Sequence, residues 1–164
     1  MASAPAVSRL SSDAAMPVHQ PSANPSVWAA CAQPDGDALQ NILQGLGWDF
    51  RGSRSIHQTL VAMRDNRVDI VICNEQLSDG CWKDLLAGFG QLQCPPPLVV
   101  IAERFDSNLW AEVLNLGGFD VLLRPLTEKE IAGVLHMAHR HHNKRKQAAS
   151  LAAKSLRATS NPAA

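Results

Sequence analysis

Asn74 closes the apolar run Val68-Asp69-Ile70-Val71-Ile72-Cys73, and the polar stretch Glu75-Gln76-Leu77-Ser78-Asp79-Gly80 follows it. A short β-branched run that ends this way reads as a buried parallel strand delivering its last residue to a sheet's C-terminal edge. In open α/β sheets, ligands and chemistry sit at that edge. An aspartate there would offer an anionic oxygen nucleophile; the amide of Asn74 offers none. Glu75 and Asp79 are the carboxylates that would have to substitute. Asp35 and Asp37, after Gln33-Pro34, read as the start of a helix rather than as metal ligands.

The elements that must position these residues alternate along the chain. Strands are predicted over 26–32, 48–51, 68–73, 98–102 and 119–123. Helices are predicted over 37–46, 55–66, about 80–91, 106–116 and 127–142, with Ser55 and Asp106 as caps and Thr127 through Glu130 as a capping box. Parallel strands need crossovers, and the crossovers are right-handed helices. The expected fold is α/β and flavodoxin-like: a doubly wound five-stranded parallel sheet of order 2-1-3-4-5 with five helices. Trp110 reads as a core aromatic before it reads as a partner contact.

Val68–Gly80, Pro97–Ala102 and the stretch Leu116-Gly117-Gly118-Phe119-Asp120-Val121-Leu122-Leu123-Arg124-Pro125-Leu126 together resemble bacterial response-regulator receiver domains. The resemblance runs over roughly residues 26–139. It implies a phospho-accepting aspartate at Asn74, an acidic pair for a divalent cation at Cys31 and Ala32, a hydroxyl at Ala102, an aromatic switch at Val121 and a lysine at Arg124. Only Arg124 keeps the required charge, without the compact ammonium. The resemblance therefore implies a degenerate, or pseudo-, receiver that does not autophosphorylate. It also implies docking and homodimerisation through the fourth helix, fifth strand and fifth helix, a face that would include Asn108, Leu109, Glu112, Arg124 and Glu128. An Arg124–Glu75 pair is expected to mimic one signalling state.

The formal net charge is zero, yet it is unevenly placed. Residues 26–135 hold 14 acids and 8 bases, whereas 136–164 hold 6 bases and no acid. The run His139–Lys146 reads as a basic, solvated helix end. His136 and His139 share a face at i, i+3 but find no third ligand, so no metal is expected. Without interleaved aromatics or a helix-turn-helix, nucleic-acid binding through this tail is a secondary reading. Cys31, Cys73, Cys81 and Cys94 lack CxxC spacing and read as reduced cysteines.

Residues 1–25, rich in Ala, Ser and Pro, are expected to be a disordered tail, 26–142 the receiver-like domain and 143–164 a disordered basic tail. No apolar stretch reaches the ~20 residues of a membrane span, no secretory signal is visible, and a cytoplasmic location is expected. Glycine-rich phosphate loops and nucleophile elbows are absent from the sequence, so neither an enzyme nor a cofactor is expected. The expected function is a stand-alone signalling module of a two-component phosphorelay, acting by contact with a histidine kinase or a downstream regulator. The alternatives are an active single-domain receiver using a substitute carboxylate, and a nucleic-acid-binding regulator.

Overall fold

The structure, a computed structural model, describes residues 24–159. The expected disordered N-terminal tail lies, up to residue 23, outside the described residues. The chain runs β1 (Ser26–Ala30), α1 (Asp35–Gly45), β2 (Asp49–Ser53), α2 (Ile56–Asp65) and β3 (Ile70–Asn74). It continues through β4 (Gln76–Leu77), β5 (Gly80–Cys81), α3 (Trp82–Gly88), β6 (Leu98–Ala102), α4 (Ser107–Leu116), β7 (Asp120–Leu123) and α5 (Glu128–Thr159). The five long strands form one parallel sheet of order β2-β1-β3-β6-β7, the order expected from the sequence.

Every residue of β3 and of β6 is buried. This follows from their central place in a parallel sheet covered by helices on both faces. The period of two then sorts side chains between two cores. Ala30, Val71, Cys73, Val100 and Ala102 pack with Met63, Leu85 and Val113, on the side of α2, α3 and α4. Val27, Ile70, Ile72, Ile101 and Leu122 pack with Leu39, Leu43, Ile131 and Leu135, on the side of α1 and α5.

Local signals set the helix ends. Ser55 accepts from the Gln58 N–H and Asp106 from the Asn108 N–H, each satisfying a free helix donor. Gly117 ends α4 at φ 102°, a left-handed cap, and a Cβ on Gly118 would sit 2.5 Å from Val113 Cγ1. The loop expected after Asn74 contains the small antiparallel pair β4–β5. No described helix is long and apolar enough to cross a membrane.

Three expectations fail. The chain expected to be a disordered tail from residue 143 is helical through Thr159, because nothing breaks α5 after Gly133 and its sheet-facing stripe continues. Ile131, Leu135, Ala138 and His142, at helical spacing, are all fully buried. One turn on, Lys146 reaches the buried Asp69 carboxylate at 2.9 Å. The histidines are thus not a solvated end: His142 is fully buried, and His136 stacks on Trp48 with ring centroids 5.1 Å apart. Trp110, expected in the core, is 46% exposed, because Leu109 and Val113 take the buried side of α4.

Candidate functional site

The crevice lies past the C-terminal ends of β3, β6 and β7, where the strand period decides what enters it. Asn74 continues the Ile70–Ile72 row, Glu103 the Val99–Ile101 row, and Arg124 follows Leu122 by two. All three therefore fall on the α1 side of the sheet. Asp35, the first residue of α1, meets them there, its side chain 7% exposed.

Arg124 grips Asp35 with two guanidinium nitrogens. Its Nη2 donates to Asp35 Oδ2 at 2.5 Å, and its Nε lies 3.0 Å from Oδ1 and 3.2 Å from Oδ2. The remaining fork nitrogen, Nη1, donates to Glu103 Oε1 at 3.0 Å. Asn74 Nδ2 donates to Asp35 Oδ2 at 3.1 Å, while Asn74 Oδ1 is buried with no protein partner. A planar fork matches a carboxylate in a way a lysine ammonium does not. The bonds to Asp35 raise the guanidinium's pKa further above its ordinary value.

This corrects the expected Arg124–Glu75 pair: the cation goes to Asp35 and Glu103. Glu75 lines the mouth of the crevice, and its backbone N–H bonds the Ile101 carbonyl at 3.2 Å. Asp79, the other candidate substitute, is spent at the N-terminus of α2. It accepts from Ile56 N–H at 2.7 Å and His57 N–H at 3.0 Å. The His57 and Ile56 N–H groups hold its carboxyl below the ordinary range.

The other sequence-selected positions surround this cluster. Cys31 is buried, and burial, then the charge of Asp35, pushes its thiol up to about 12, so it stays protonated. Ala32 follows it as an exposed residue. Ala102 is buried on the far side of the sheet, and its carbonyl accepts from the Arg124 N–H at 3.0 Å. Val121, half-buried, pairs with Val100.

A divalent cation of the kind the resemblance implies does not fit this donor set. Mg²⁺ takes hard oxygen ligands. Cys31 and Ala32 present no carboxylate, and both oxygens of the buried carboxylate at Asp35 are engaged by a guanidinium. Among the described residues, no group of three or more His, Cys, Asp or Glu side chains is placed to hold a metal ion. In front of the cluster opens a cleft of about 660 Å³, walled by Glu75, Glu103, Arg104, Phe105, Asp106 and Leu109.

No family model matches the sequence, and no curated protein matches it either. Solved structures do match. The chain is similar to the signal receiver domain of an HD-domain-containing protein from Pseudomonas fluorescens Pf-5, at 21% identity and TM-score 0.68, covering 80% of this chain and 98% of that one. It is similar to FixJ-N at 21% identity and TM-score 0.65, covering 72% and 95%. A third likeness is to the signal receiver domain of a modulated diguanylate cyclase from Desulfovibrio desulfuricans G20, at 18% identity and TM-score 0.63, covering 73% and 97%. The chain has the fold of response-regulator receiver domains.

Proposed function

We propose that this chain is a receiver-type signalling module whose phosphoryl-transfer site has been replaced by a permanent internal ion pair, and which acts by protein contact. One observation carries the reading. The buried carboxylate beside Asn74 is already neutralised by Arg124. Phosphoryl transfer needs an oxygen nucleophile and cationic stabilisation of developing charge. Asn74 supplies no such nucleophile, and Arg124 spends its charge on Asp35 and Glu103. Cys31, Ala32, Ala102 and Val121 offer neither a carboxylate for a hard divalent cation nor a hydroxyl or ring that could report a bound phosphoryl group.

What remains is a surface. Trp110 and Leu114 on α4, the half-buried Val121 and Leu123 on β7, and Met137 on α5 leave apolar area in solvent. A groove of about 660 Å³ between β7 and α5 runs past Val121, Leu123, Gly133 and Met137. Exposed apolar area of this kind marks a protein contact. The partner class that fits is a kinase or downstream regulator of a two-component system, or a second copy. This is a binding module and not an enzyme.

Titration with beryllofluoride and Mg²⁺, followed by tryptophan fluorescence and by amide chemical shifts, tests the reading. No saturable, metal-dependent change is expected, whereas a saturable change at Asn74, Glu75 or Asp79 would return the active-receiver alternative.

A further inference from the structure

His142 takes no part in the Asn74 crevice. It is fully buried, and neither of its ring nitrogens meets a hydrogen-bond partner among the described residues. A neutral imidazole carries one N–H donor and one acceptor, and leaving both unmet inside a protein is costly. The ring lines a cleft of about 220 Å³ at the N-terminal edge of the sheet, the edge opposite the crevice. Going beyond the reading above, we propose that this cleft is a second binding site: it takes a small carboxylate with a short apolar body, and the occupant ties α5 to α2.

Three segments build the cleft. Met63, Asn66, Arg67 and Val68 come from the end of α2 and the turn into β3. Leu92, Gln93, Cys94 and Pro96 lie on the connection into β6, and His142 and Lys146 project from α5. One part of the wall is therefore apolar, made by Met63, Val68, Leu92 and Pro96. The other part is rich in donors, because an imidazole, an ammonium, a guanidinium and the Gln93 amide meet there. The Asn66 amide is already engaged: it accepts from Arg51 at 2.6 Å and donates to the Ala62 carbonyl at 2.9 Å. At about 30 Å³ per water in the liquid, the cleft has the volume of roughly seven waters, which is room for a four-carbon acid.

Charge selects an anion. Lys146 and Arg67 share the one carboxylate of Asp69, at 2.9 Å and 3.0 Å, so the three together leave one positive charge beside the cleft. The ring feels it. Burial, and then the charge of Lys146, push the His142 imidazole down to about 4; Asp69 opposes the fall, while Arg145 and His139 add to it. Near neutral pH the ring is therefore uncharged and sits in a net positive field. A carboxylate head accepts from the His142 N–H and faces the two cations, where charge-assisted bonds are strong. Its carbon chain lies against Met63 and Leu92, out of water.

Other occupants fit less well. An organic cation would meet Lys146 and Arg67. A soft metal ion would find Cys94 and His142, but among the described residues no three His, Cys, Asp or Glu side chains come together to hold one. Water would serve the ring while wetting the apolar wall. The position gives the site its consequence. Ile131, Leu135 and Ala138 hold α5 against the sheet, and His142 and Lys146 are the next turns of the same stripe. An occupant of this cleft bridges those turns to α2 and to the connection before β6.

Titration of the full chain at neutral pH with butyrate, and in parallel with n-butylammonium and with inorganic phosphate at equal ionic strength, tests the site. Amide and histidine-ring chemical shifts are the readout. Expected are saturable butyrate shifts at residues 63–68, 92–96 and 142–146, with a Kd on the order of 1 mM, and none with butylammonium. At ten times that Kd, the amides of 142–146 should exchange about tenfold more slowly, and iodoacetamide should alkylate Cys94 about tenfold more slowly. Cys81, outside the cleft, serves as the unprotected control. His142→Leu, which keeps the position apolar, should weaken butyrate at least about tenfold. No saturable butyrate shift up to about 20 mM overturns the proposal. So does an equal response to butylammonium, phosphate binding without butyrate binding, or a butyrate response unchanged in H142L; should H142L fail to fold, the protection of Cys94 in the unmodified chain decides.

Discussion

Replacing Arg124 with Ala isolates the ion pair on which the site depends. The variant leaves the Asp35 carboxylate, 7% exposed, with only the 3.1 Å bond from Asn74. Breaking a buried pair by removing one partner costs about 3–5 kcal/mol. Arg124 is itself 32% exposed and water can enter the vacated cleft, so the cost should fall to about 2–3 kcal/mol. Urea unfolding at pH 7 would read this as a midpoint lower by about 1–1.5 M for a slope near 2 kcal/mol/M. Arg124→Lys, which keeps the charge but loses the fork, should cost about half as much. A double-mutant cycle with Asp35→Asn should return a coupling energy above about 1 kcal/mol, because each single change strands the other side chain. Single-variant costs under about 0.5 kcal/mol with no coupling would show that the pair is incidental, and the reasoning would fall with it.

Three other perturbations probe the scaffold. Asp69→Ala removes an acceptor with a fully buried side chain shared by Lys146, Arg67 and the Ser26 N–H; it should cost about 2–3 kcal/mol in urea unfolding and expose the amides of α5 beyond His142 to hydrogen exchange. Burial alone would raise the Asp69 carboxyl, but the bonds from Lys146, Ser26 and Arg67 outweigh it and lower the pKa, so this contribution is present above an ordinary 3.8 and lost as pH falls further. His142 acts in a separate window. Burial lowers its pKa from 6.5 to about 4, the unfolded chain takes up the proton first, and stability should fall by about 3 kcal/mol between pH 6.5 and pH 4; His142→Leu should remove that slope in urea unfolding across pH. Gly118→Ala drives a Cβ to 2.9 Å from the Val113 carbonyl as well as against its side chain, and should lower thermal stability by about 1–3 kcal/mol.

The sheet was legible because its signals are local. β-Branched runs, helix stripes and caps at Ser55 and Asp106 each lie within a few residues, and consistent parallel pairing follows from them. The partner of Arg124 was not, since Asp35 lies 89 residues away. A partial signal existed: Asn74 and Arg124 each sit two residues past a residue of the core shared with α1, which puts both beside the first residue of that helix. The reach of α5 was missed because charge hid its period. Counting on from Ile131, Leu135 and Ala138 leads to His142 and Lys146, and no proline intervenes before Pro162. Trp110 was misplaced because size suggested burial, whereas the spacing of Leu109 and Val113 already assigned the inner side of α4.

Intact mass after incubation with acetyl phosphate and Mg²⁺ meets the central claim most directly. The unmodified chain should gain no phosphoryl mass, because its central strand ends in an amide and its nearby buried carboxylate is held by Arg124. An acid-labile phosphoryl adduct mapping to residues 74–79 would contradict the account.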